Sequence, residues 1–434
     1  MRASLYPPLL LISLSYLVPR LSHVGGAIPM IIQAGIVLVV FYYSLVTLFL
    51  RSSRYAPRTG KGLYRSQVKY IVLFTVFVVL SIIAMLKGLE REYGLRYVIG
   101  DTYKFLIPPV CIYYFYLVIR KSAEYEDILY AYYWLAVVMQ VLMLVPYMAG
   151  ILKTNDRIFS VNNLPLVLML GYFFRERSRR VRPAQWLMLF TIPVYIYFTQ
   201  SLSLFVSLSV VPLLTIVLYR YSGRRLALFL VGILIFSCTM IYVMLYRGDF
   251  IGEILPRKYA DYYLSGKFVG LQNAASTEAK LEMIAGSRFA EPKGIVGEIS
   301  DGKLMTMLVG AGMGSTFTST SVTGLKRTWT GEDHFVHAGV TESLLRTGVL
   351  GAVLYVLISL LFVGVGLQMR RYNIIAALSA SKVLTDFLFM IVTTWLGNEF
   401  MVFFLVAYLL SLSREQWEVR RAEDVLQPTV GMAI

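Results

Sequence analysis

The chain of 434 residues is 57% hydrophobic and only 15% charged. This composition excludes a soluble globule of that size, because too few polar residues remain to cover its surface, and it predicts an integral membrane protein. The net charge of +16 does not indicate a nucleic-acid partner, since the basic residues are spread over several loops and not gathered on one face.

Apolar runs long enough to cross the hydrocarbon core recur along the chain. The strongest lie at residues 28–50, 70–86, 97–119, 128–152, 226–246 and 350–369. Further spans at 5–18, 160–174, 185–199, 203–219, 373–395 and 399–413 bring the Lys and Arg clusters of the loops to one side of the membrane. By the positive-inside rule the fold is therefore an all-α bundle of about twelve transmembrane helices with both ends in the cytoplasm.

One segment interrupts this pattern. Residues 247–347 have low hydrophobicity, and the alternation of loops places them outside as an extracytoplasmic subdomain. The chain thus divides into a membrane bundle of about nine helices at residues 1–246, the subdomain, about three helices at 348–413, and a cytoplasmic tail at 414–434. The outer segment is where we expect chemistry.

Four charged residues fall inside predicted spans. They are Asp101 with Lys104, and Lys382 with Asp386. Because charge within a membrane is costly, each is a functional candidate. Their i, i+3 and i, i+4 spacings also let each pair neutralise itself along one helix face, and we favour that structural interpretation.

Two of the three histidines, His334 and His337, lie in the outer segment. An imidazole near its ordinary pKa can take a proton from a sugar hydroxyl, although a hydrogen-bonded surface histidine is the alternative. Together with Glu332 and Asp333 they could hold a metal, but the spacing is not that of a zinc protease, and we expect no metal site. The glycine run at 310–315 follows no strand, so we expect a tight turn and not a nucleotide loop.

The stretch HAGVTESLLRTGVLG, which begins at His337, resembles the signature of O-antigen ligases and of O-antigen and exopolysaccharide polymerases. In that signature a loop histidine is followed by two glycines that open a transmembrane helix, and Gly348 and Gly351 hold those places. The run VGAGMGSTF, with Gly310 and Gly312, is similar to the family's upstream glycine turn.

A third stretch, DRIFSVNNLPLVLMLGYFF, resembles the family's segment in which an arginine and then an asparagine lead into a membrane helix, with Arg157 and Asn163 in those places. The chain departs from the family pattern at two positions. Leu202 stands where many members have arginine, and Ala338 stands where asparagine is common.

The resemblance implies an enzyme of the bacterial cytoplasmic membrane with its site on the periplasmic face. Its donor would be a glycan linked to undecaprenyl diphosphate, its acceptor a glycan or lipid-linked glycan, and it would need no cofactor. His337 would be the catalytic group, and Arg157, Lys280 and Arg288 would be the candidates that hold the diphosphate. We favour a polymerase over a ligase, with a flippase or transporter as the alternative of another class.

Overall fold

The structure is a computed structural model. It describes residues 61–119, 121–132, 202–220, 287–300, 304–318, 339–389 and 400–426, with residues 35, 42, 134, 332 and 333. The predicted spans at 5–18, 160–174, 185–199 and 226–246 lie outside this part, as does nearly all of the span at 28–50. Of the span at 128–152, residues 128–132 and 134 are helical.

The described part is almost entirely helical. Its helices are α1 (Lys61–Glu90), α2 (Leu95–Val118), α3 (Leu202–Arg220), α4 (Ser287–Ser300), α5 (Leu304–Val309), α6 (Gly339–Met369), α7 (Ile374–Phe389) and α8 (Phe400–Leu426), and residues 122–132 are helical as well. A single antiparallel ladder joins β1 (Phe317–Thr318) to β2 (Glu332–Asp333). The predicted all-α class is confirmed for these residues.

Two helical segments of the described residues, Val72–Glu90 in α1 and Gly339–Met369 in α6, are long and apolar enough to cross a membrane. The first overlaps the predicted span at 70–86 and the second contains the one at 350–369. Several apolar side chains of α1 and α6 are exposed, among them Val76, Ile83 and Leu357. An apolar helix surface without protein cover suits a lipid environment, in agreement with the composition.

Helix α6 is central, because it packs against α1, α5, α7 and α8, while α2 packs between α1 and α8. Aromatic side chains fill the contact between α2 and α8. The Phe115 and Phe404 rings meet edge to face with centroids 5.1 Å apart, and the Tyr125 ring lies 5.0 Å from Phe404. This aromatic packing joins the first described helices to the last.

Small residues allow α7 to approach its neighbours closely. A side chain added at Gly366 of α6 would lie 3.2 Å from Ala380 of α7, and the Thr215 hydroxyl of α3 lies 3.1 Å from that of Ser381. Close approach of this kind stabilises helix pairs in membranes, where the hydrophobic effect does not drive association.

Segments predicted to be cytoplasmic meet at one end of the bundle. Glu415 of α8 accepts hydrogen bonds from the backbone N–H of Ser122 at 2.7 Å and from its hydroxyl at 2.6 Å. Glu126 accepts a bond from Asn373, in the turn between α6 and α7, at 2.6 Å. The segment after α2, the turn after α6 and the middle of α8 therefore lie together.

Candidate functional site

The predicted site residues fall on both sides of the described boundary. His337, His334, Arg157 and Lys280 lie outside the described residues, so their roles stay predictions. Arg288 is in the first turn of α4, where only its backbone is described. The four glycines Gly310, Gly312, Gly348 and Gly351 are all described, and the site is built around them.

The glycine run folds as a turn that only glycine accommodates easily. Gly310, Gly312 and Gly314 have φ angles of 84°, 106° and 83°. A side chain is strained in this region of backbone conformation, whereas glycine adopts it at no steric cost. Alternate glycines thus let the chain reverse direction directly after α5.

This glycine turn packs backbone to backbone against a break in α6. Gly348 has φ 69° and ψ −168°, so α6 consists of a short helix at residues 339–347 followed by the long apolar one. A side chain at Gly310 would lie 2.5 Å from the Arg346 backbone and from the nitrogen of Gly348. The N–H of Ala311 donates to the Leu345 carbonyl at 2.8 Å. The two glycine motifs, far apart in sequence, therefore form one contact.

The turn also docks on the C-terminal end of α1. The N–H of Met313 donates to the Ala84 carbonyl of α1 at 2.9 Å, and Lys87 donates to the carbonyl of Gly310. Gly88 leaves room for this approach, because a side chain there would overlap the Met313 backbone. Lys87 and the glycine turn were both predicted to lie outside, and here they are in contact.

A buried ion pair fastens the turn from the other side. Asp101 of α2 lies with its Oδ2 2.7 Å from the Nε of Arg346, and it accepts a hydrogen bond from the N–H of Gly314 at 2.9 Å. Arg346 donates to the hydroxyl of Ser315 at 2.7 Å and to its carbonyl oxygen. Both ions are almost fully buried, with exposed fractions of 1% and 0%. Such a pair holds its place through charge-assisted hydrogen bonds.

The expected pairing of Asp101 with Lys104 is present, but it is not the closest contact of either ion. Lys104 Nζ is 3.8 Å from Asp101 Oδ1, so the predicted i, i+3 pair exists, but each ion has a nearer partner on α6. Lys104 donates to Glu342 at 2.8 Å, just as Asp101 meets Arg346. The closer contacts join two helices, because the N-terminal part of α6 brings opposite charges against α2. Lys382 is buried in α7, and the side chain of its predicted partner Asp386 lies outside the described part.

Arg346 and Glu342 were not among the predicted site residues, although both lie within the stretch that carries the family resemblance. The available signal was an acidic and a basic residue four positions apart directly before an apolar span. Together with Asp101 and Lys104 they form a cluster of two acids and two bases without net charge. A neutral cluster of this kind is better suited to holding α2 against α6 than to binding an anion.

The described segments before and after His337 both pack with the glycine turn. Strand β1 follows the glycine turn, and its Phe317 pairs with Asp333 of β2, four residues before His337. Phe317 is buried in a small core with Leu345, Ala311, Ile295 and Ile299. On the other side α6 begins at Gly339, two residues after His337. The described residues that flank His337 thus belong to the same unit as the glycine turn.

Among the residues that the structure describes, no three His, Cys, Asp or Glu side chains come together as a metal site requires. Comparison with known proteins was also negative: no protein-family model and no curated protein sequence matches this chain.

Proposed function

We propose that the protein is a polysaccharide polymerase that transfers a glycan from undecaprenyl diphosphate to an acceptor glycan at the outer face of the bacterial cytoplasmic membrane. The observation that carries the proposal is the assembly of the family-like motifs into one unit. The glycine turn at Gly310, the α6 break at Gly348 and the chain on both sides of His337 meet at one end of the bundle.

We also propose about twelve spans with both ends cytoplasmic. Two groups of contacts between segments predicted on the same side of the membrane support this topology. The glycine turn accepts a hydrogen bond from Lys87, and both lie in segments predicted outside. At another set of contacts, the predicted inside segments around Ser122, Asn373 and Glu415 lie together.

The proposed reaction uses groups that the chain supplies. The acceptor hydroxyl oxygen attacks the anomeric carbon of the donor, its proton passes to the imidazole of His337, and the bond from that carbon to the phosphate oxygen breaks. Undecaprenyl diphosphate leaves with the bonding electrons. Arg157, Lys280 and Arg288 are the candidates that would stabilise the developing negative charge, because guanidinium and ammonium groups donate charge-assisted bonds to phosphate.

The proposal is tested by complementation of a deletion strain with alanine variants of the two histidines. His337→Ala should abolish glycan transfer, because only His337 holds the family's place before Gly348, whereas His334→Ala should retain activity at least in part. Membrane levels of both proteins are compared by immunoblot. Full activity of the His337→Ala protein contradicts the assignment.

One gel of the cell-surface glycans separates the alternatives. Loss of a polymerase should leave single repeat units attached to the final acceptor. Loss of a ligase should leave none attached, with long chains accumulating on the undecaprenyl carrier. If repeat units collect on the cytoplasmic side instead, the enzyme proposal fails and a flippase takes its place.

A further inference from the structure

Packing alone does not explain why an ion pair, Asp101 with Arg346, is buried in this part of the fold. The pair is buried at the junction of α2, α6 and the glycine turn, and each ion also bonds the turn, Asp101 through the N–H of Gly314 and Arg346 through Ser315. Burying two ions carries a large desolvation penalty, and apolar residues of similar size often stabilise a protein as well or better. The arrangement therefore points to a role in fixing geometry.

We propose that Asp101 and Arg346 are positioning residues for His337. They fix the position of the glycine turn relative to the first helical segment of α6, two described segments that precede and follow His337. The inference rests on the proposed function of His337. It concerns which residues make that function possible and not which residues touch the substrate.

The connection from the pair to His337 is short on one side. Arg346 lies in the short helical segment that begins at Gly339, seven residues after the start of α6. Arg346 also directs the carbonyl of its own backbone to the N–H of Gly312 at 3.3 Å. A shift of Arg346 therefore moves both this short helix and the glycine turn.

On the other side the connection runs through the ladder. Ser315, which Arg346 holds, is two residues before Phe317 of β1. Phe317 pairs with Asp333, and it packs with Leu345, the residue next to Arg346. The bonds of Arg346 to Ser315 thus join two points of the chain that precede and follow His337 in the sequence.

The test uses three variants of the full-length protein in detergent micelles. Asp101→Asn keeps an acceptor for Gly314 and removes the partner charge of Arg346. The double variant Asp101→Asn with Arg346→Met removes both charges and the bonds to Ser315. The matched control is Thr102→Val, next to Asp101, which deletes one hydroxyl that bonds only the Val98 carbonyl among the hydrogen bonds described for it.

Three quantities are measured for each variant: the thermal midpoint, the kinetic constants for glycan transfer, and hydrogen–deuterium exchange of peptides covering residues 310–318 and 332–345. Asp101→Asn should lower both the midpoint and kcat. In the double variant the midpoint should return towards that of the parent, because no unpaired buried charge remains. Its kcat should stay at least tenfold down with KM for the lipid-linked donor within about twofold, and its two peptides should exchange faster.

Recovery of kcat together with the thermal midpoint in the double variant overturns the proposal, because the pair would then act through folding alone. Unchanged exchange of both peptides overturns it as well. A third outcome separates the two proposals. If the two peptides of the double variant exchange faster but the His337→Ala protein remains fully active, the proposed function is refuted, whereas the effect of the pair on the geometry of these segments is supported. Thr102→Val should match the parent in all three measurements.

Discussion

Replacing Gly348 by alanine should destabilise the protein more than any other single methyl group added to α6. Gly348 has φ 69° and ψ −168°, a conformation that is essentially restricted to glycine, and forcing another residue into it costs about 1–3 kcal/mol. The new methyl group would also overlap the backbone of Gly310 and Leu308, and relieving such an overlap costs about 1–3 kcal/mol more. The free energy of unfolding should therefore fall by about 2–6 kcal/mol.

The same helix contains a matched control. Gly364 is exposed, and a side chain added there meets no other atom within 4 Å. Gly364→Ala should leave stability unchanged or raise it by roughly 0.5–1 kcal/mol, because alanine is the better helix former. Denaturant titration of the two purified variants in the same detergent compares them directly. Equal unfolding free energies for Gly348→Ala and Gly364→Ala would refute the reasoning.

A second substitution tests whether the overlap has the source described. Gly310→Ala should also destabilise the protein, since its methyl group would lie 2.5 Å from the Arg346 backbone and from Gly348 N. Both methyl groups press on the same contact, so the double variant Gly310→Ala with Gly348→Ala should lose less than the sum of the single losses. Simple additivity would indicate that the glycine turn and the α6 break act independently.

Two further predictions concern the opposite ends of the bundle. A periplasm-active reporter enzyme fused after Tyr93 should be active and one fused after Tyr372 inactive, because the α1–α2 connection is predicted outside and the α6–α7 turn inside; the reverse pattern contradicts the proposed orientation. Glu415→Ala should lower the unfolding free energy by roughly 1.5–3 kcal/mol, the contribution of hydrogen bonds to a charged group, since it removes both bonds to Ser122. Glu418→Ala, an exposed position of the same helix, is its control in the same titration, and equal losses for the two variants would contradict the role given to Glu415.

The local features of this chain follow from its sequence because they depend on neighbouring residues alone. A span of about 20 apolar residues must be helical in a membrane, since no water is present to satisfy its backbone. The composition and the apolar runs therefore predicted α1, α2 and α6 as helices, and alternate glycines at 310, 312 and 314 indicated a turn. The role of His337 remains a prediction from the resemblance.

Which distant residues meet was decided only by the tertiary structure. From spacing alone Lys104 was the expected partner of Asp101, and it does lie within 3.8 Å. Arg346 nevertheless comes closer, at 2.7 Å, from a position 245 residues further along the chain. Hydropathy and residue spacing do not predict such a contact, because it forms only when the glycine turn packs against the break of α6 and Arg346 comes to lie against α2. The sequence by itself determined the helices and predicts a membrane protein, whereas the packing of the glycine turn against α6 determined which charged residues of different helices pair.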